Sequence, residues 1–196
     1  MIPILILAAG GSTRMRGSDK LLEQVAGQPL LRLQAERALA TGQPVFIALP
    51  RADHPRADAL ADLDVTMLVV HEADEGMSGT LRGAVAQLPA TSAFMLLLAD
   101  LVEIATDDMR AVLHAQLEKP DHLIWRGATE DGKPGHPIIL DSSLRPQFAT
   151  LSGDDGARAI VAPLANRTCL VPLNGNRARR DLDTPEDWAE WRKNNV

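Results

Sequence analysis

Apolar residues along the chain alternate between short continuous runs and stretches with helical spacing. Pro3–Ala8, Val45–Leu49, Val65–Val70 and Phe94–Ala99 are near-continuous apolar runs, and His122–Trp125 is a shorter fifth. Continuous runs suit strands covered on both faces, as in a parallel sheet. Between them, Leu30–Ala40 carries apolar residues at helical intervals and stops at Gly42, with similar patterns over Thr80–Leu88 and Thr106–Leu117. Thr106, Asp107 and Asp108 read as an N-cap followed by an acidic first turn. The order β-α-β-α-β-α-β predicts a doubly wound α/β fold with a mostly parallel sheet and right-handed crossovers.

The pattern changes after Lys119. Gly127–Gly135 is polar and Gly-rich, which reads as a turn or a mobile loop and a candidate lid. Pro137–Leu140 and Thr168–Pro172 read as strands, and Ser142–Thr150 and Asp155–Leu164 as helices. Pro185–Lys193 is a helix with Pro at its first position. The second half reads as an elaboration on the same sheet, so residues 1–196 are expected to form a single domain.

Composition narrows the function. With no Tyr, three Phe and three Trp, the core must be built from Leu, Val, Ile and Ala, and little is left for a base-stacking surface. A net charge of −6 also disfavours a broad phosphate-backbone footprint, so no nucleic acid is expected as a partner. The lone thiol, Cys169, cannot form an internal disulfide, which fits a reducing, cytoplasmic setting. It reads as a small buried apolar residue or a catalytic thiol. The apolar start is short, lacks a basic flank and meets a polar run at Gly10, so neither a signal peptide nor a membrane span is expected.

The first candidate chemistry follows the first strand directly, in the run from Leu7 to Lys20. Ligand crevices in open α/β sheets lie at the carboxyl ends of strands. Small residues at Ala8, Ala9, Gly10, Gly11 and Ser12 let a backbone approach a ligand, and their N–H groups can cradle phosphate oxygens. Arg14, Arg16 and Lys20 concentrate positive charge there in an otherwise acidic chain. The run lacks the Gly-Lys-Ser/Thr of a Walker A loop, and its glycine spacing is not that of a dinucleotide-binding oxidoreductase.

The run resembles the signature of the MobA-like nucleotidyltransferases, a loop of the form L-A-A/G-G-x-x-x-R-M-G-x-x-K. Gly135-His136-Pro137, Gly153-Asp154-x-Gly156-Ala157-Arg158 and Asp181-Leu182-Asp183-Thr184-Pro185-Glu186-Asp187 resemble later blocks of the same family, in the same order. The resemblance implies a Rossmann-like fold of the nucleotide-diphospho-sugar transferase type, a nucleotide-binding half over about 1–120 and an acceptor-binding half over about 121–196. It implies that Gly10, Gly11, Ser12, Arg14 and Lys20 bind the triphosphate and that the backbone of Leu7, Ala8 and Ala9 meets the base. Gly79 and Thr80, after the third strand, match a segment that recognises base and ribose, although Thr80 also suits a helix N-cap.

Asp100, at the end of the fourth strand, matches the family's Mg2+-binding residue, with Asp183 as its partner. Asp183 could instead cap the helix ahead of Pro185, and Asp181 could exchange roles with it. Such a site suits Mg2+, which takes one or two carboxylates plus phosphate oxygens. His136 is either structural or turned to the acceptor. Arg158 either binds the acceptor phosphate or pairs with Asp154, the third acceptor-side residue. Arg14, Lys20 and Asp100 are the expected catalytic groups.

Ala8-Ala9-Gly10 resembles the members that use CTP, and the implied reaction is transfer of CMP from CTP to molybdopterin, with release of pyrophosphate and a molybdoenzyme as possible client. Open alternatives are GTP as donor, a sugar phosphate as acceptor, and a non-catalytic carrier of the molybdenum cofactor. The chain departs from the family by one extra residue between Arg14 and Lys20 and by Leu101-Val102-Glu103 after Asp100, where Met-Pro or Gln-Pro is common. Those departures leave the local loop geometry for the structure to decide.

Overall fold

A computed structural model of the chain describes residues 1–153 and 156–195. The first half runs β1 (Ile4–Leu7), a short hairpin β2 (Gln24–Val25) and β3 (Gln28–Pro29), α1 (Leu30–Leu39), β4 (Val45–Leu49), α2 (Pro55–Asp58), β5 (Thr66–Val69), α3 (Met77–Gln87), β6 (Ala93–Leu98) and α4 (Thr106–Glu118). The second half adds β7 (Ile124–Ala128), β8 (Pro134–Asp141), α5 (Arg145–Phe148), α6 (Arg158–Val161), β9 (Thr168–Pro172) and α7 (Pro185–Asn194). Seven strands form one sheet in the order β5-β4-β1-β6-β8-β7-β9. Neighbours pair in parallel except at β8, which is antiparallel to both β6 and β7. The fold is a mixed, mostly parallel α/β sheet.

The run Ile4–Leu7 is apolar throughout because both faces of β1 are covered. Ile4 and Ile6 pack with α1, α4 and α7 through Leu31, Ala35, Met109, Val112 and Trp188. Leu5 and Leu7 pack on the other face with Leu81, Val85, Phe148 and Ile160 from α3, α5 and α6. Successive strand residues point to opposite faces, so a strand between two helical layers needs apolar residues at every position. β4 lies on one side of β1 and β6 on the other, so the order reverses between β1 and β6. Such a switch point opens a crevice beyond the strands' carboxyl ends, here beyond Leu7 and Leu98, which are paired in register.

Several local expectations need correction. Gly127–Gly135 is not a loop closing over the sheet: its ends belong to β7 and β8, and only 129–133 turns. Thr129 N–H donates to Lys133 O at 2.9 Å, and Gly132, at φ 83°, supplies the left-handed residue of this turn. A turn this short forces the two strands antiparallel. Gly135 is small for packing, since a Cβ there would lie 2.1 Å from Ala178 O.

Thr80 is not an N-cap, because α3 begins three residues earlier and the Thr80 N–H already donates to Gly76 O. Thr106 is likewise inside α4. Asp108 accepts from the Ala105 N–H at 2.8 Å, and the Thr106 hydroxyl ties the helix to Arg37 O at 2.9 Å. The two helices expected between residues 142 and 164 are single turns, α5 and α6, extended by 3-10 turns at Ser142–Leu144 and Ala162–Arg167. The expected start of the second, Asp155, lies outside the described residues. Among the described residues, no helix is long and apolar enough to cross a membrane.

Candidate functional site

A cleft of about 350 Å³ opens at the switch point, walled by Leu7, Ala9, Gly10 and Gly11 from the first loop, Met77 and Thr80 from α3, and Leu98 and Asp100 after β6. Arg14, Lys20, Asp181 and Asp183 also line it. The floor is therefore strand ends and small residues, and one flank is charged. A Cβ at Gly10 would meet nothing within 4 Å, so the loop leaves clearance above itself that its own packing does not use.

Not every residue of the loop reaches this cleft. Ala8 has both backbone groups engaged: its N–H donates to Ala48 O at 3.1 Å and its carbonyl accepts from Arg56 Nη1 at 2.5 Å. The first backbone of the run on the cleft wall beyond β1 is Ala9. Ser12, left-handed at φ 49°, turns its hydroxyl away, donating to Asp19 Oδ1 at 3.1 Å. It faces a second cavity, of about 470 Å³, behind the loop. Gly79 also lies off the cleft wall. It packs α3 against the turn His71–Glu75, where a Cβ would fall 2.1 Å from Glu72 O.

The charged flank comes from three distant segments. Lys20 Nζ sits 2.5 Å from Asp100 Oδ2 and 2.6 Å from Asp183 Oδ1, and Arg14 Nη1 lies 2.7 Å from Asp183 Oδ2. Asp100, Asp181 and Asp183 each offer an oxygen within 4.8 Å of the others. Burial works against the Lys20 charge, but the two carboxylates outweigh it and hold the ammonium above the usual lysine range. Partial burial raises Asp181, and the neighbouring carboxylates of Asp100 and Asp183 add to the rise.

The local folding that presents Asp183 is clear. Thr184 Oγ1 accepts from the Asp187 N–H at 3.2 Å, and Asp187 Oδ2 accepts from the Thr184 and Asp183 N–H groups at 2.9 and 3.2 Å. This reciprocal capping box starts α7 and leaves the Asp183 carboxylate free to face the cleft. α7 is held by buried Trp188, by Trp191 Nε1 donating to Glu103 Oε1 at 3.1 Å and by Arg192 on Glu23 at 2.6 Å. The unusual stretch after Asp100 is equally fixed: Gln34 Nε2 donates to Leu101 O at 2.7 Å, and Arg37 donates to the carbonyls of Val102 and Ile104 at 2.8 Å each.

One observation bears on a cation at this site. Asp100 Oδ1 is buried and has no hydrogen-bond partner. An unpaired buried carboxylate oxygen is costly unless something positive satisfies it. Three carboxylates, one of them Asp100 with its orphaned oxygen, fit a hard divalent ion.

His136 and Arg158 converge on a third cavity, of about 370 Å³, which shares Leu7, Met77 and Leu98 with the cleft. Its walls are mainly Leu81, Leu96, Ile138 and Val161, with Arg126 beside the imidazole. The backbone of His136 is set by its main-chain N–H donating to Ala178 O at 2.8 Å, and Arg126 by Nε donating to Gly135 O at 2.9 Å. Burial, with the nearby Arg126 charge, pushes the His136 imidazole down to about 3, so it is neutral at physiological pH. Arg158 is exposed at the rim, and Asp154 lies outside the described residues. Sequence reasoning missed Arg126 and Arg56. The first had no signal. The second could have been suspected from His54-Pro55-Arg56, a cation placed just after a strand's carboxyl end.

A crevice of this kind, with a small-residue loop, a lysine and convergent carboxylates, defines the NTP-transferase class of α/β protein. Residues 4–168 match the MobA-like NTP transferase domain, and the chain belongs to that family. It is 25% identical to nicotine blue oxidoreductase of Paenarthrobacter nicotinovorans, over 93% of this chain and 92% of that one. It is 26% identical to molybdenum cofactor guanylyltransferase of Serratia proteamaculans (strain 568), over 96% and 93%.

Among solved structures it resembles Rv0371c from Mycobacterium tuberculosis H37Rv, with TM-score 0.83, 24% identity and coverage of 98% and 97%. A manganese complex of that protein superposes with TM-score 0.77 at 23% identity, over 96% of both chains. CMP:2-keto-3-deoxy-manno-octonic acid synthetase complexed with CTP aligns with TM-score 0.75 at 16% identity, over 98% of both. These likenesses establish the fold.

Proposed function

We propose that the protein moves a nucleoside monophosphate from a nucleoside triphosphate to a phosphorylated acceptor, with CTP as donor, molybdopterin as acceptor and pyrophosphate as leaving group. The observation that carries this reading is Lys20 held between Asp100 and Asp183 beside the open Gly10-Gly11 backbone. The nucleotide-binding half is about 1–120 and the acceptor-binding half about 121–196.

Gly10 and Gly11 would receive the triphosphate on backbone N–H groups, with Arg14 and Lys20 as its cationic partners. A phosphate oxygen of the acceptor, already ionised near neutral pH, attacks the α-phosphorus in line. The bond to the β-phosphate oxygen breaks, and pyrophosphate departs. No general base is needed, so the protein's work is alignment and charge neutralisation. Lys20 and Arg14 both contact Asp183 and line the cleft, which suits them to follow charge from donor to leaving group. Asp100 and Asp183, with Asp181 beside them, would hold Mg2+, which when bound supplies Lewis-acid stabilisation of phosphate oxygens. The manganese complex of the fold relative supports a divalent ion at this fold. The neighbouring cavity would seat the acceptor, with neutral His136 inside and Arg158 at the rim.

The donor base is the finest part of the proposal. Ala8-Ala9-Gly10 favours CTP, while five relatives beyond the oxidoreductase, at 26–29% identity, carry the name guanylyltransferase. Pyrophosphate release, measured with CTP and separately with GTP in the presence of Mg2+ and molybdopterin, tests both parts. CTP-dependent release supports the full reading, and GTP-dependent release keeps the transfer and overturns the base. Nucleotide binding without release with either points to another acceptor or to a cofactor carrier.

A redox reading has one observation behind it, the likeness to a protein named as an oxidoreductase. Saturable NADH binding, without binding of CTP or GTP, would favour it over transfer.

A further inference from the structure

Arg56 is 2% exposed and lies outside the cleft, yet it touches the first loop at three separate residues. Its Nη1 donates to Ala8 O at 2.5 Å, and its Nη2 donates to Ser12 Oγ at 3.1 Å. Its Nε and Nη2 form a fork on Asp19, at 2.7 and 2.8 Å. The Asp19 carboxylate also accepts from the Ser12 hydroxyl and, at 3.0 Å, from the Leu21 N–H. Burial works against the Asp19 charge, and the bonds and charge of Arg56 outweigh it. One rigid guanidinium therefore joins the start, the bend and the end of a loop that contains two left-handed non-glycine residues, Ser12 and Arg16. Left to itself, such a backbone would populate other conformations.

We infer that Arg56 and Asp19 are positioning residues for the nucleotide loop: their fork pre-sets the backbone of residues 9–12 and aims Lys20, one residue after Asp19, into the cleft. A lysine at 56 would keep the charge but could not bond three points of the loop at once. The inference rests on the reading of this loop as the nucleotide site. It assigns a distinct effect to the pair. Arg56 and Asp19 line the second cavity and not the cleft, so once nucleotide bound in the cleft has ordered the loop, chemistry proceeds almost as before. What falls is the fraction of free protein whose loop is ready, and apparent affinity falls by that fraction.

The test uses Arg56→Lys, Asp19→Asn and the double variant in the full chain. Asp19 is half-buried, and Asn keeps its shape, so this variant stays informative should Arg56→Lys fail to fold. Hydrogen exchange of the segment 8–20, without nucleotide, should quicken about tenfold or more in either variant, while β6 stays protected. The dissociation constants for CTP and GTP, by calorimetry, should rise about 10- to 100-fold for whichever nucleotide the wild type binds, with kcat within about threefold. The double variant should fall well short of the sum of the singles, because the fork between the two residues is already lost in each.

A merely structural role would lower the melting temperature and leave exchange at 8–20 and nucleotide affinity at wild-type values, which would overturn the inference. Full rescue of affinity and exchange by Arg56→Lys would overturn the claim for the fork. A wild type that binds neither CTP nor GTP would sink the nucleotide reading instead, and the exchange experiment would still decide whether the pair sets the loop.

Discussion

The charged cleft and the apolar cavity beside it share Leu7, Met77 and Leu98 but treat charge in opposite ways. In the cleft, two carboxylates outweigh burial and keep Lys20 ionised. In the cavity, burial and a like charge from Arg126 keep His136 neutral. Desolvation acts in both places, and what differs is the sign of the nearest partner. On the proposed function, the first compartment would take the triphosphate with its cation and the second the less charged body of the acceptor, its anionic end towards Arg158 at the rim. A transfer reaction needs that division, since two substrates of similar charge must lie side by side without exchanging places.

The largest test of this division is Asp100→Ala. Turnover should fall by about 10³-fold or more, with circular dichroism unchanged, because the cleft would lose a proposed cation ligand and Lys20 one of its two partners. Near-normal turnover would remove Asp100 from the site. Lys20→Ala should cost about 10²-fold in kcat/KM for the nucleotide, and kinetics unchanged from wild type would take it out of the mechanism.

Arg158→Ala sharpens the contrast from the other side. The acceptor KM should rise about tenfold while the nucleotide dissociation constant stays put, and the reverse pattern would exchange the two compartments' roles.

The neutrality of His136 makes a stability prediction. The unfolded imidazole takes up its proton near 6.5, the folded one only near 3. Between these values the unfolded state binds more protons, so this residue leaves stability intact above about 6.5 and erodes it as pH falls towards 3. Urea unfolding of wild type and His136→Asn at pH 7 and pH 5 should show a smaller acid loss in the variant. Equal losses would mean that the imidazole is charged in the folded protein. The smallest effect is expected at Thr184→Ala, where losing the α7 cap should cost about 1 kcal/mol and loosen Asp183.

How far the sequence could be read depended on whether each feature is local. The apolar runs of β1, β4, β5 and β6 announce buried strands because their burial follows from period alone. Asp100 and Lys20 were legible from their places after a strand and within a cationic loop. The β7–β8 hairpin was not, because Gly127 and Gly135 looked like loop glycines. Their smallness is instead required by His136 O and Ala178 O, contacts made across the fold. Arg56 escaped for the same reason, since its partners lie 37 to 48 positions away. Thr80 and Thr106 show the limit of capping rules, which name good cap residues but do not say which of several the backbone will use.

Asp183 reaches the cleft only because α7 docks through Trp188, Trp191 and Arg192 onto parts of the chain made far earlier. As the chain is synthesised from its N-terminus, β1 and β6 can pair and the first loop can form while the cleft still lacks its second carboxylate. Assembly of the last helix therefore acts as a completion signal, and an interrupted chain would carry the loop without the acidic partner that sets Lys20 and Arg14 in place.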